Sequence, residues 1–126
     1  MNFTPMLDGN KKLYDFVFPK DEYEFKVVWA REKISKKNNE MIEIVLHVYN
    51  NDKTIKVYDY LLEAMAFKIQ HFCETTGLEN AYADGILTAK MCVGRTGRCR
   101  LEVQSDGKYS DKNIIADYCK IEEIPF

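Results

Sequence analysis

Nothing in this 126-residue sequence approaches the ~18 consecutive apolar residues of a membrane-spanning helix. Met1, Asn2, Phe3, Thr4 and Pro5 offer neither the basic nor the apolar stretch of an export signal. The chain is therefore expected in the cytoplasm and off the membrane. No CxxC pair occurs among Cys73, Cys92, Cys99 and Cys119, and only His47 and His71 are there to complete a zinc site. Neither metal nor cofactor is expected, and in a reducing compartment the thiols read as small buried hydrophobes.

Catalytic signatures are missing too. Gly94-Arg95-Thr96-Gly97 is glycine-bearing and basic but lacks the spacing and the long following helix of a phosphate-cradling loop. There is no GxSxG, no HExxH and no Cys–His pairing at a recognisable spacing. Asp21-Glu22 and Glu122-Glu123 read as solvated neighbouring carboxylates. An enzyme is not expected. Nor is there an excess of one charge: 18 Lys and Arg against 20 Asp and Glu give a net charge of -2, which taken whole argues against a nucleic-acid partner.

What is present suits one globular domain, with 46% hydrophobic and 30% charged residues and enough length to bury a core without disulfides or metal. The first twenty or so residues, closed by Pro19, mix aromatics with Asp8, Gly9 and Asn10 and read as an irregular lead-in. Tyr23 to Ile34 is rich in Val, Phe, Tyr and Trp and predicts a long first strand, whose imperfect alternation suits a strand that bends to serve two sheets. Met41 to Tyr49 alternates, with Ile42, Ile44, Leu46 and Val48 on one face, Glu43, His47 and Tyr49 on the other, and Val45 as the exception. After the turn Asn50-Asn51-Asp52, a third strand over Thr54 to Tyr60 points Ile55 and Val57 inward and Lys56, Tyr58 and Tyr60 outward.

Leu62 to Thr76 then takes up helical spacing, with Gly77 as its stop, and residues 78–87 read as a connection. Thr88 is placed to cap a short helical turn through Cys92. A second hairpin, Arg98 to Gln104 and Asn113 to Ile121, completes the chain; it points Cys99, Leu101 and Val103 inward and Arg98, Arg100, Glu102 and Gln104 outward. Three strands, a helix and two strands is the element order of an OB-fold: an all-β, five-stranded Greek-key barrel with its helix between strands three and four. An open α+β sheet gives the same string of elements.

Resolved along the chain, the charge is uneven. Residues 31–37 and 90–112 each carry +3, while 61–89 carry -3 and 113–126 carry -2. The two basic regions are the first-to-second and fourth-to-fifth strand loops, which flank the ligand groove of an OB-fold. Single strands of nucleic acid need cations along the phosphates and flat side chains on which bases stack. Candidate phosphate contacts are Arg31, Lys33, Lys36, Lys37, Lys56, Arg95, Arg98, Arg100 and Lys112; candidate stacking residues are Tyr49, Tyr58, Tyr109 and Trp29. Trp29 shares the strand parity of Phe25 and Val27, which points it at the core, and His47 reads as a plain exposed strand residue. Outward tyrosines also pack across strands, and edge cations also prevent sheet association, so the argument rests on the cluster.

The chain ends Ile121-Glu122-Glu123-Ile124-Pro125-Phe126, which resembles the acidic tip with which bacterial single-stranded-DNA-binding proteins recruit replication and repair enzymes. That resemblance makes Glu122, Glu123, Ile124, Pro125 and Phe126 a partner handle, the terminal Phe and its carboxylate suiting an apolar pocket with a basic rim. The usual Gly- and Pro-rich linker is missing, because the last predicted strand runs almost into Glu122. Over about a hundred residues, Phe18-Pro19, Glu22-Tyr23-Glu24, Ser35-Lys36-Lys37-Asn38, Gly94-Arg95-Thr96-Gly97, Tyr109, Asp111-Lys112-Asn113 and Asp117-Tyr118 are similar in order to small phage-encoded single-stranded-DNA-binding proteins.

The resulting expectation is an OB-fold domain over 1–121 with a tip over 122–126. It would bind single-stranded DNA largely without sequence preference, self-associate as a homo-oligomer, a dimer first, and support phage replication or recombination in a bacterial host. The alternative is a β-barrel protein-interaction module, an adaptor or inhibitor, without nucleic-acid binding.

Overall fold

A strand whose apolar residues recur at every second position can cover one face of a sheet, and three consecutive segments do so here. In the computed structural model, which describes residues 1–2, 17–105 and 111–119, they form β1 (Asp21–Ile34), β2 (Glu40–Asn50) and β3 (Lys53–Leu62). A 3₁₀ turn over Glu63–Met65 leads into α1 (Ala66–Thr76), followed by α2 (Glu79–Asp84), α3 (Ala89–Cys92), β4 (Thr96–Gln104) and β5 (Lys112–Cys119). The strands make one antiparallel sheet in the order β3-β2-β1-β4-β5, so the long first strand is the centre and pairs on both sides. A five-stranded antiparallel sheet with a helix between its third and fourth strands is the expected element order.

The inner face carries the core. Phe25, Val27, Ile44, Leu46, Val48, Phe72 and Leu101 are all buried, and the rings of Phe25 and Phe72 meet Tyr118 edge-on at 5.5 and 5.0 Å. Each such side chain contributes about 1.5–3 kcal/mol by leaving water. Cys73, Cys92 and Cys99 are fully buried among them, and burial pushes their thiols up to about 11, 12 and 12, leaving them protonated and packed as hydrophobes. Val103 differs from its expected inward placement: it is 41% exposed near the end of β4, beyond an irregularity in the β4–β5 pairing between Arg100 and Leu101.

Helix α1 ends where its sequence says it should, on Gly77 in the left-handed region with φ 77°. The same end of α1 presses on β4: a Cβ at Gly97 would lie 2.7 Å from the Thr75 side chain, whose hydroxyl accepts from the Arg98 N–H at 2.9 Å. The Thr88 hydroxyl accepts from Met91 N–H and starts α3 as expected. Helix α2 was not expected; six residues hold too few apolar positions to display a period, and it is held by Leu78 and Ala81 against the core and stopped by Gly85.

The two sheet edges, β3 and β5, share no backbone ladder among the described residues. Side chains bridge them instead. Tyr118 Oη donates to Asp59 Oδ2 at 2.6 Å, while Lys68 Nζ, reaching in from α1, donates to Asp59 Oδ1 at 2.9 Å and to the Ile115 carbonyl at 3.0 Å. Among the described residues no helix is long and apolar enough to cross a membrane.

Candidate nucleic-acid interface

The outer face of β1, β2 and β3 owes its character to one inserted residue. Up to Val27 the odd positions of β1 point inward, with Tyr23, Phe25 and Val27 buried. Val27 pairs with Leu46, but the next pair along is Trp29 with Val45, so Val28 is a bulge. One extra residue inverts the alternation of everything beyond it. Trp29, placed in the core by parity, is instead 43% exposed, and Ala30 packs against the core in its stead. The bulge falls where β1 changes neighbours. Val27 N–H donates to the Arg95 carbonyl and the Val27 carbonyl accepts from Gly94 N–H, both at 2.8 Å, and beyond this point β1 pairs with β2 alone.

On either side of the bulge the register lays out rows across the three strands. Lys26, His47 and Lys56 form one; Trp29, Val45 and Tyr58 the next; Arg31, Glu43 and Tyr60 a third; and Lys33 stands opposite Met41 at the edge. Strands lie about 4.8 Å apart, so Trp29 and Tyr58 stand about 10 Å apart across Val45. That explains the exception in the β2 alternation: Val45 faces outward yet is only 7% exposed between two aromatic neighbours. Here a shallow groove of about 440 Å3 is lined by Val28, Trp29, Glu43, Val45, His47, Lys56 and Tyr58.

Cations stand over rings along this face: Arg31 at 5.4 Å from the Trp29 centroid, Lys33 at 5.8 Å from Tyr60 and Lys56 at 5.9 Å from Tyr58. Glu43 is buried beneath them, with Arg31 Nε donating to Oε1 at 2.9 Å, Lys33 Nζ to Oε2 at 3.5 Å, and the Tyr60 hydroxyl also donating to it. Burial pushes the Glu43 carboxyl up, but the hydrogen bonds from Tyr60 and Arg31 and the two nearby positive charges outweigh it, so it is held below the usual carboxylate range. Burial and then the charges of Lys56 and Lys26 lower His47 from 6.5, so its imidazole is neutral at neutral pH.

The other sequence candidates fall into separate groups. Lys36 and Lys37 are exposed on the β1–β2 turn, which is shaped by Asn38 at φ 64° and by Asn39 N–H donating to Ser35 Oγ at 3.1 Å. They continue the positive end of the face beyond Arg31 and Lys33. Tyr49 lies half-buried at the opposite end of β2, between Glu24 and Thr54. Arg98 and Arg100 lie on β4, across β1 from the groove and opposite Glu24 and Glu22. Each has a carboxylate at 4.0 Å, Glu24 for Arg98 and Asp117 for Arg100. Asp117 also holds His71 Nδ1 at 3.0 Å. Lys112 opens β5 opposite Gln104.

Arg95 is engaged elsewhere, donating from Nε to the Met91 carbonyl at 3.3 Å and from Nη1 to the Thr76 carbonyl at 3.2 Å, which ties α3 to the end of α1. Tyr109 and the tip residues Glu122, Glu123, Ile124, Pro125 and Phe126 lie outside the described residues. Lys26, Glu43, Val45, His47 and Tyr60 belong to the face but were not among the sequence candidates. Outward parity was a usable signal for Lys26 on β1 and for Glu43, His47 and Tyr60 on β2 and β3; for Trp29 the register was needed.

A second, larger cleft of about 680 Å3 opens between the far ends of β1 and β2 and the helices, with Ile34, Met41, Ile69, Tyr82 and Ile86 in its walls beside Glu32, Glu40 and Glu63. Apart from Lys33 its charges are negative, unlike those of the aromatic face. Among the described residues no group of three His, Cys, Asp or Glu side chains is placed to hold a metal ion. No protein-family model and no curated protein matches the chain.

Proposed function

We propose that the protein is a single-stranded-DNA-binding domain of the OB type. It binds largely without sequence preference and serves DNA replication or recombination of a phage in a bacterial host. The observation that carries this reading is the row Trp29–Val45–Tyr58, two exposed rings across a covered valine, with Lys26 and Lys56 in the row on one side and Arg31, paired with Glu43, in the row on the other. Rings give bases a surface at about 1–3 kcal/mol each, and cations track the phosphates. The strands-two-and-three face is also where OB-folds take oligonucleotides. An OB barrel is supported by the central position of β1 and by the side chains of Lys68, Asp59 and Tyr118 linking β3 to β5, the two edges that an OB barrel brings together.

In this reading Trp29, Tyr58 and Tyr60 stack on bases, with Tyr49 at the end of the row. Arg31, Lys33, Lys36, Lys37, Lys26 and Lys56 neutralise phosphates, Arg98, Arg100 and Lys112 add weaker outlying charge, and Arg95 is structural. Self-association as a dimer and recruitment of replication or recombination enzymes by the tip remain part of the proposal. Fluorescence anisotropy with labelled oligo-dT at several salt concentrations tests it. Binding with a steep salt slope is expected, and absence of binding even at low salt would sink the reading.

A second reading, a protein-interaction module, draws on the apolar cleft, where Ile34 and Ile86 are 56% and 61% exposed. It is favoured if oligonucleotides fail to bind and substitution of those two isoleucines by Ser abolishes capture of a partner.

A further inference from the structure

The aromatic groove has a floor of mixed chemistry. Trp29 and Tyr58 form its walls and Val45 its apolar base, while the two remaining sides differ in kind. On one, the row Lys26–His47–Lys56 offers positive charge; on the other, Glu43 lines the groove with a carboxylate whose side chain is only 9% exposed. Strand spacing places the walls about 10 Å apart, and aromatic partners stack with centroids about 4.5–7 Å apart, so one flat ring fits between them. A nucleotide seated there meets opposite chemistry at its two ends. Its phosphate suits the row of Lys26 and Lys56, which holds no carboxylate, and a backbone held there leaves the edge of the base toward Glu43.

An ionised carboxylate only accepts hydrogen bonds, and its two oxygens take about four. Glu43 receives three donors here, from Arg31, Lys33 and Tyr60, and the Lys33 contact is the longest at 3.5 Å. Acceptor capacity is left over, and it is negative. Cytosine presents an amino donor at its fourth position, whereas thymine presents an oxygen acceptor there. Resting on the single-stranded-DNA reading above, we propose that Glu43 makes this groove a selective position within the footprint, favouring a base with an exocyclic amino group, cytosine over thymine.

The alternative role for Glu43 is to hold Arg31 and Lys33 in place, and the two roles separate experimentally. The affinity of oligo-dC and oligo-dT of equal length is measured at fixed salt for the wild-type protein and for Glu43→Gln, whose folding is checked by a thermal melt. Selection by Glu43 lowers the dC-to-dT affinity ratio about tenfold in the variant, since one specific base contact carries discrimination of that order; using the ratio cancels the different stacking of the two free strands. A ratio that stays the same while both affinities shift together assigns Glu43 to holding the cations and overturns the inference. A second measurement needs no variant: oligo-5-methyl-dC shares the methyl group of oligo-dT but carries the amino donor at position 4 in place of the oxygen, and an acceptor at N3 in place of thymine's N–H, and it should bind the wild-type protein more tightly. Equal affinity for these two overturns the inference while leaving the DNA-binding reading intact. If no oligomer binds at low salt, the reading and the inference fall together.

Discussion

Asp59 and Glu43 sit one register position apart on neighbouring strands, since Ile44 pairs with Asp59 and Glu43 with Tyr60. Each gathers a lysine and a tyrosine, yet they face opposite sides of the sheet. Asp59, Lys68 and Tyr118 are all buried, their contacts bridge β3, α1 and β5, and burial with the neighbouring Asp59 charge pushes the Tyr118 phenol well up. Glu43 lies beneath Arg31, Lys33 and Tyr60, whose own side chains reach solvent. The same chemistry is therefore sealed in the core on one face and reaches solvent on the other. What divides them is desolvation: a buried ion pair cannot trade its partner for water or phosphate without a large penalty, whereas an exposed cation can.

The largest expected effect breaks the inner cluster. Lys68→Met leaves Asp59 buried without its counter-charge and should cost about 3–5 kcal/mol in urea unfolding. A loss below about 1 kcal/mol would mean that the inner face does not depend on the pair. On the outer face, Trp29→Ala and Tyr58→Ala should each weaken oligo-dT binding by about 1–3 kcal/mol in anisotropy titrations while the unfolding midpoint moves little. Stability falling as far as affinity would make these rings packing residues and remove the contrast between the faces.

The salt dependence sharpens the contrast within the cations. Replacing both Lys36 and Lys37 by Ala should lower the slope of log affinity against log salt by about 0.7 for each lysine. Replacing both Arg98 and Arg100 by Ala should weaken binding to all sequences alike but by less, because Glu24 and Asp117 already stand at 4.0 Å from them. A larger effect at Arg98 and Arg100 than at the turn would move the interface to β4.

The smallest effect is the pH response of His47. Its folded pKa lies below 6.5, so as pH falls through that value the unfolded chain takes up the proton first and stability declines. If the protein binds DNA as proposed, affinity changes in the other direction: protonation in the folded state adds a third positive charge between Lys26 and Lys56, so affinity at low salt should rise on acidification. His47→Gln should flatten both trends, read by thermal melts and anisotropy between about pH 5 and 8.

Much of the architecture was legible in the residues. Alternation in β2 and β3 identified their faces, Gly77 and Thr88 marked helix boundaries that the structure uses, and Cys73, Cys92 and Cys99 are core as read, whereas Cys119, near the end of β5, is only half-buried. The candidate face was legible only in part. Tyr58, Lys56, Arg31 and Lys33 could be listed by composition and parity, but nothing local distinguished Arg95, whose guanidinium is spent on two carbonyls, from Arg31, which lies over an indole. A guanidinium looks the same in sequence whether its neighbours are carbonyls or open solvent.

Trp29 marks the division most sharply. The period of two along β1 follows from residue type, because each strand must cover one side of a sheet, and the sequence alone therefore determined which segments are strands and most of the residues that fill the core, Trp29 and Val103 being the exceptions. The phase of that period beyond Val27 was decided by the tertiary structure. Where β1 leaves Gly94 and Arg95 for β2 alone, Val28 is bulged out, and every later side chain changes sides. A bulge depends on which strand lies alongside, not on the residues that carry it, and on it depends whether the only tryptophan is core or surface.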